Sequence, residues 1–204
     1  MSKKIMFSDK YGLEQAVIEG GKTMTRRVIN PQPNRARHWN PIFVKDEPMY
    51  YRDERGMCQL IAENGDVLYP KFEKGEVIAI AQAYKDCGYD MELIIDGKLM
   101  YKHPGWNNKM FVKSELMPYA IKITDIRAER LQDISNQYCL QEGIKKHISH
   151  AKVYYTHDGI GNYFFDTPRD AFASLIDRVS GKGTWESNPF VWVYSFEVIE
   201  NPSN

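Results

Sequence analysis

Apolar positions follow three patterns along the chain, and each predicts a different kind of element. Phe172, Leu175, Ile176 and Val179 recur at helical spacing and form one apolar face. Thr167 stands where an N-cap belongs, Pro168 opens the first turn, Asp170 sits near the positive end and Gly181 follows the last turn. Residues 77–81 form a continuous apolar run of strand length. Ile121, Ile123 and Ile126 alternate with one offset at Thr124-Asp125, which predicts a bulge or bend inside a long strand. Residues 190–198 are aromatic and β-branched, as in a closing strand. Shorter signals fill the remainder. A strand at 5–7 precedes a helix through Leu13, Ala16, Val17 and Ile18, capped by Ser8 or Asp9 and ended by Gly20-Gly21. Hairpins are expected for 57–61 with 67–69 about Asn64-Gly65, and for 90–95 with 99–101 about Asp96-Gly97. A short helix begins at Asp133 or Ser135 and runs to Glu142, with Gly143 as terminator. Prolines 31 and 33 open an extended surface loop to about residue 48, and residues 145–163 carry no regular pattern.

Several strands and three modest helices that do not alternate predict an α+β fold around a small sheet or barrel, not a doubly wound parallel sheet. Composition narrows the partners. The 204 residues hold 27 basic and 27 acidic side chains, so no global field holds a long polyanion. A small anionic or nucleotide-like ligand, or a local nucleic-acid contact, fits better. Cys58, Cys87 and Cys139 never form a C-x-x-C pair, which suits a reducing compartment. No apolar stretch is long enough for a signal peptide or a bilayer span, so a soluble cytoplasmic protein is expected.

The chemistry concentrates in Gly20-Gly21-Lys22-Thr23-Met24-Thr25-Arg26-Arg27. No acidic residue occurs between Glu19 and Asp46, while Lys22, Arg26, Arg27, Arg35, Arg37 and Lys45 all do. A helical turn after the glycines would bring Lys22 and Thr25 to one side, an amine beside a hydroxyl. The plainer expectation is a solvated basic loop. Trp39, amid Arg35, Arg37 and His38, is the candidate stacking platform for a base, whereas Trp192 reads as core. His147, His150 and His157 lack a carboxylate or cysteine at ligand spacing; they read as surface histidines, and no metal or other cofactor is expected.

Taken together, Gly20 through Ile29, the strand Gly75-Glu76-Val77-Ile78, the run Ile126 through Ile134, Glu142-Gly143 and the closing Asn188-Pro189-Phe190-Val191-Trp192-Val193 resemble the ASCH domain of the PUA-like superfamily, most closely its longer phage and prophage members. The resemblance implies one domain over residues 1–204: a small β-barrel with flanking helices and long insertions at about 30–70, 85–118 and 144–165. It implies a cleft that relatives use for RNA, nucleotides or modified bases. Small bacterial members are amidohydrolases that remove the acetyl group from acetylcytidine. Their K-x-x-T lysine and threonine and a downstream glutamate carry over to Lys22, Thr25 and Glu142, with Arg27 matching a further arginine. The implied partner is a nucleoside, a nucleotide or single-stranded RNA, bound with or without turnover. A purely protein partner is the third possibility, and the acetylcytidine hydrolases are about half as long as this chain.

Overall fold

A computed structural model describes residues 3–33, 51–52, 58–62, 66–150, 152–157 and 163–204. Its centre is a five-stranded mixed sheet in the order β1-β6-β9-β12-β2. These strands are β1 (Lys4–Ile5), β2 (Met24–Val28), β6 (Val77–Ile80), β9 (Tyr119–Arg130) and β12 (Phe190–Glu200). The remaining strands form three separate small sheets: β3 (Tyr51–Arg52), β4 (Cys58–Ile61) and β5 (Val67–Leu68); the hairpin β7 (Ile94–Ile95) with β8 (Lys98–Leu99); and the hairpin β10 (Lys145–Ser149) with β11 (Lys152–Thr156). Four helices complete the fold: α1 (Leu13–Ile18), α2 (Asn136–Gln141), α3 (Pro168–Ser180) and α4 (Thr184–Ser187). None is long and apolar enough to cross a membrane.

The sequence patterns explain most of these elements. β9 and β12 pair antiparallel along their whole length, and their register slips between Ser195, opposite Asp125, and Phe196, opposite Ile123. Thr124 is therefore the extra residue, where the alternation breaks in the sequence. In α3 the Thr167 hydroxyl accepts from Asp170 N, and Phe172, Leu175 and Ile176 are buried. Val179, the fourth member of the apolar stripe, stays 42% exposed because it lies beyond the core, at the rim of a cavity. Residues 85–118 contribute Ile95, Met100, Val112 and Met117 to a second, smaller core that also buries Ala79, Ala81 and Tyr84. Asn201 fastens that layer, donating from Nδ2 to the carbonyls of Ser114 and Met117.

Three expectations change. Residues 22–25 make no helical turn; Lys22 and Thr23 run extended into β2, because Thr23 N donates to Gln141 O and Phe196 N donates to Thr23 O. Within 145–163, β10 (Lys145–Ser149) and β11 (Lys152–Thr156) pair as a hairpin where no regular structure was expected. The side chains of β10 are largely exposed and those of β11 mostly half-buried, so no hydrophobic alternation marks them. Lastly, the described strands do not close a barrel. Among the described strands β1 and β2 are the edges of the central sheet, with no ladder between them; Arg27 Nη2 donates to the carbonyl of Met6, the residue after β1, at 2.9 Å.

Candidate functional site

The backbone around β2 explains how a basic segment becomes a site wall. Gly20 adopts a positive φ of 74°, closing α1, and Lys22 N then donates to Ala16 O. The register places Thr25 opposite Tyr194, Arg26 opposite Val193 and Arg27 opposite Trp192. Successive side chains alternate, so Thr25 and Arg27 share one face of the edge strand and Arg26 takes the other. Ile29 N donates to Phe190 O and Phe196 N to Thr23 O, so the odd-numbered residues of β2 face β12. The peptide groups of Arg26 and Val28 consequently point away from the sheet.

Lys22 and Glu142 meet although 120 residues separate them. The Lys22 amine donates to Glu142 Oε2 at 2.5 Å and to the Glu142 carbonyl at 2.8 Å. Arg26 Nη1 holds the other carboxylate oxygen at 2.9 Å. Arg26 turns its opposite edge to Glu129 Oε1, from Nε at 3.0 Å and Nη2 at 2.5 Å, and Arg127 Nε donates to Glu129 Oε2 at 3.0 Å. Tyr138 of α2 lies over both guanidiniums, 5.8 Å from Arg26 and 4.9 Å from Arg127. Charges thus alternate from Lys22 through Glu142, Arg26 and Glu129 to Arg127, with side chains of Lys22, Arg26 and Glu142 at most 5% exposed.

Such burial is tolerable only because the ions pair and their hydrogen-bonding groups are met. Desolvation still pushes the Lys22 pKa below the ordinary lysine value; the Glu142 carboxylate opposes that shift, while Arg27 and Arg26 add to it. Local chain geometry holds the pair. Ser135 caps α2 by accepting from Tyr138 N, and Glu142 ends the helix. Gly143 follows at φ 100°, where a Cβ would stand 3.2 Å from Leu13 and 3.5 Å from the Lys22 stem. The glycine lets the chain leave the helix without displacing the lysine.

A cavity of about 670 Å³ wraps the free edge of β2 and brings together Lys22, Thr25, Arg26, Arg27 and Glu142, with Phe172 and Ile176 of α3 on its apolar wall. The Thr25 hydroxyl makes no hydrogen bond to another described residue, although the residue is only 5% exposed. Arg27 donates once to Met6 O and keeps its other N–H groups unengaged among the described residues. Of the candidate residues, these five converge. Arg35, Arg37 and Trp39 lie outside the described residues. Trp192 is core, as its strand context implies, at 6% exposure. His157 is buried, not a surface histidine, with Nε2 3.2 Å from Ser174 Oγ. His147 and His150 sit on the β10–β11 hairpin and its turn, where His147 packs on Phe164.

Glu129, Arg127 and Tyr138 were not visible as site residues from the sequence. The signal available was the alternation of β9, which puts Arg127 and Glu129 on the Arg26 face once β9 and β2 are both paired to β12. No protein-family model, curated protein or solved structure matches the chain.

Proposed function

We propose that this is an ASCH-type α+β protein of PUA-like architecture whose edge-strand cavity deacylates an acylated cytosine nucleoside or nucleotide. The observation that carries the reading is that the buried Lys22–Glu142 contact lines the same cavity as a threonine hydroxyl with no partner among the described residues. Amide hydrolysis needs a nucleophile, a base for its proton and an acid for the departing amine. Desolvation lowers the pKa of Lys22, and the carboxylate of Glu142, 2.5 Å away, is the group within reach of its proton. The neutral amine then takes the Thr25 proton, directly or through one water, as Oγ1 attacks the acyl carbon. Protonated Glu142 returns a proton to the cytosine nitrogen as the C–N bond breaks. Water hydrolyses the acyl-threonine, releasing the acid and restoring both groups. Arg27, with donors to spare, steadies the developing oxyanion. The outward peptide groups of Arg26 and Val28 offer donors and acceptors to the edge of the base.

One observation favours a second reading. Both oxygens of Glu142 are already held, by Lys22 and Arg26, as in a structural clamp, and the cavity would then bind RNA or a modified base without turnover. Incubation of purified protein with N4-acetylcytidine separates the two. Under the hydrolase reading cytidine appears, and Thr25→Val, which keeps the shape and removes the hydroxyl, lowers kcat by about 10²-fold or more with an unchanged melting temperature. Binding without product establishes the module.

A further inference from the structure

A second cavity of about 420 Å³ lies along the seam between β1 and β2. Its wall shares Met6, Arg27, Val28, Ile29 and Asn30 with the larger cavity, so the two adjoin along the same edge strand. Both volumes fall in the range of small-ligand sites, roughly 300–1,000 Å³. The linings differ in kind. Where the first cavity presents the amine, hydroxyl and carboxylate, the second presents aromatic rings and cations: Trp192, Tyr194, Phe72 and Tyr69, with Lys71 at the mouth.

Tyr194 and Phe72 meet edge to face at 5.3 Å, and the Tyr194 hydroxyl accepts from Lys71 N, which fixes the floor. Tyr69 is half exposed, and the Lys71 ammonium lies 5.4 Å from the Phe72 ring. Among the described residues no carboxylate lines this cavity. Arg27 is on the dividing wall and uses one donor on Met6 O. Its planar fork suits a phosphate held between two cavities.

The geometry points to a second nucleotide subsite: a base stacks on Tyr69 in the smaller cavity, Arg27 and Lys71 grip the intervening phosphodiester, and the acylated cytosine occupies the larger cavity. The inference rests on the proposed function and names its substrate class, an oligonucleotide in preference to a free nucleoside. An aromatic shelf is sequence-tolerant, so any base serves at the second position.

Equilibrium titration of the full chain with N4-acetylcytidine, and with dinucleoside monophosphates carrying that nucleoside at either end, tests it. One of the dinucleotides should bind at least about tenfold more tightly than the nucleoside. Tyr69→Ala and Lys71→Ala should each remove most of that advantage, and salt should weaken the dinucleotide more than the nucleoside. Equal dissociation constants for nucleoside and both dinucleotides overturn the second subsite and leave the hydrolase reading standing. An advantage that survives both substitutions also overturns it. Conversely, an unacylated dinucleotide bound through Tyr69 and Lys71, with no turnover of acetylcytidine, supports the subsite and overturns the hydrolase. Absence of binding by every probe overturns both.

Discussion

Two lysines in this fold gather acceptors from distant segments, Lys22 two from one residue and Lys109 three from three residues, and they differ in how completely the cluster is buried. Lys22 holds Glu142 with both side chains at most 5% exposed. Lys109, from the segment beside the sheet, donates to Phe7 O and Asp9 and to Glu14 Oε2 at 2.7 Å, with Asp9 67% exposed. In the buried cluster desolvation lowers the pKa of the ammonium, against the pull of Glu142. In the outer cluster the proton settles on a carboxyl group. Burial, together with a hydrogen bond to Asp9, pushes Glu14 up to about 7, against the pull of Lys109. The same residue types therefore respond differently: burial lowers the ammonium of Lys22 in one cluster and raises the carboxyl of Glu14 in the other.

The comparison breaks most sharply at Lys22. Lys22→Met leaves Glu142 with Arg26 alone and should cost about 3–5 kcal/mol in urea unfolding, the usual penalty for breaking a buried pair. A loss near that of a surface ion pair, under about 1 kcal/mol, would show that the two clusters do not differ as argued. Gly143→Ala probes the same site through the backbone. Its φ of 100° and the 3.2 Å approach to Leu13 predict a loss of about 1–3 kcal/mol, with the amine displaced from the carboxylate. A melting temperature equal to that of the parent chain would refute this.

The smallest effect belongs to the outer cluster and is a matter of pH. The folded chain keeps the Glu14 proton to about pH 7, whereas the unfolded chain releases it near 4.5. Between those values the folded state binds more protons, so the Glu14 contribution is complete below about 4.5 and is lost as pH rises to about 7. Asp9 has its pKa lowered and acts in the opposite sense, below its ordinary 3.8. Stability measured from pH 5 to 7 should therefore decline less steeply in Glu14→Gln than in the parent chain. Identical slopes would remove Glu14 from the account.

The helix α3, the strand β9 and its bulge at Thr124 were legible because their apolar positions answer largely to one buried face, and β12 because it is buried on both faces over Phe190–Tyr194 and reads as a continuous apolar run. Lys22, Thr25 and Glu142 could be singled out through the family resemblance, and the convergence of Arg26 and Arg27 on the same cavity followed from their neighbourhood. The strand that carries them was not legible. Thr25-Arg26-Arg27 shows no hydrophobic alternation because β2 is an edge strand whose two faces each supply a polar partner. Glu129 was hidden for a related reason. Its partner lies 103 residues earlier, and only the common pairing of β2 and β9 with β12 makes them neighbours. The β10–β11 hairpin escaped because its turn has His150 at φ 49° where a glycine would have advertised it.

Among the described residues Arg27, and not a run of peptide hydrogen bonds, makes the polar contact across the gap between β2 and the residue after β1. One rotamer change releases it, on the fast timescale of side-chain motion, and no strand has to be peeled from its neighbour. A visitor arriving along the seam can supply replacement acceptors to the guanidinium as it enters. In the proposed subsite the same side chain would serve as both entrance and grip.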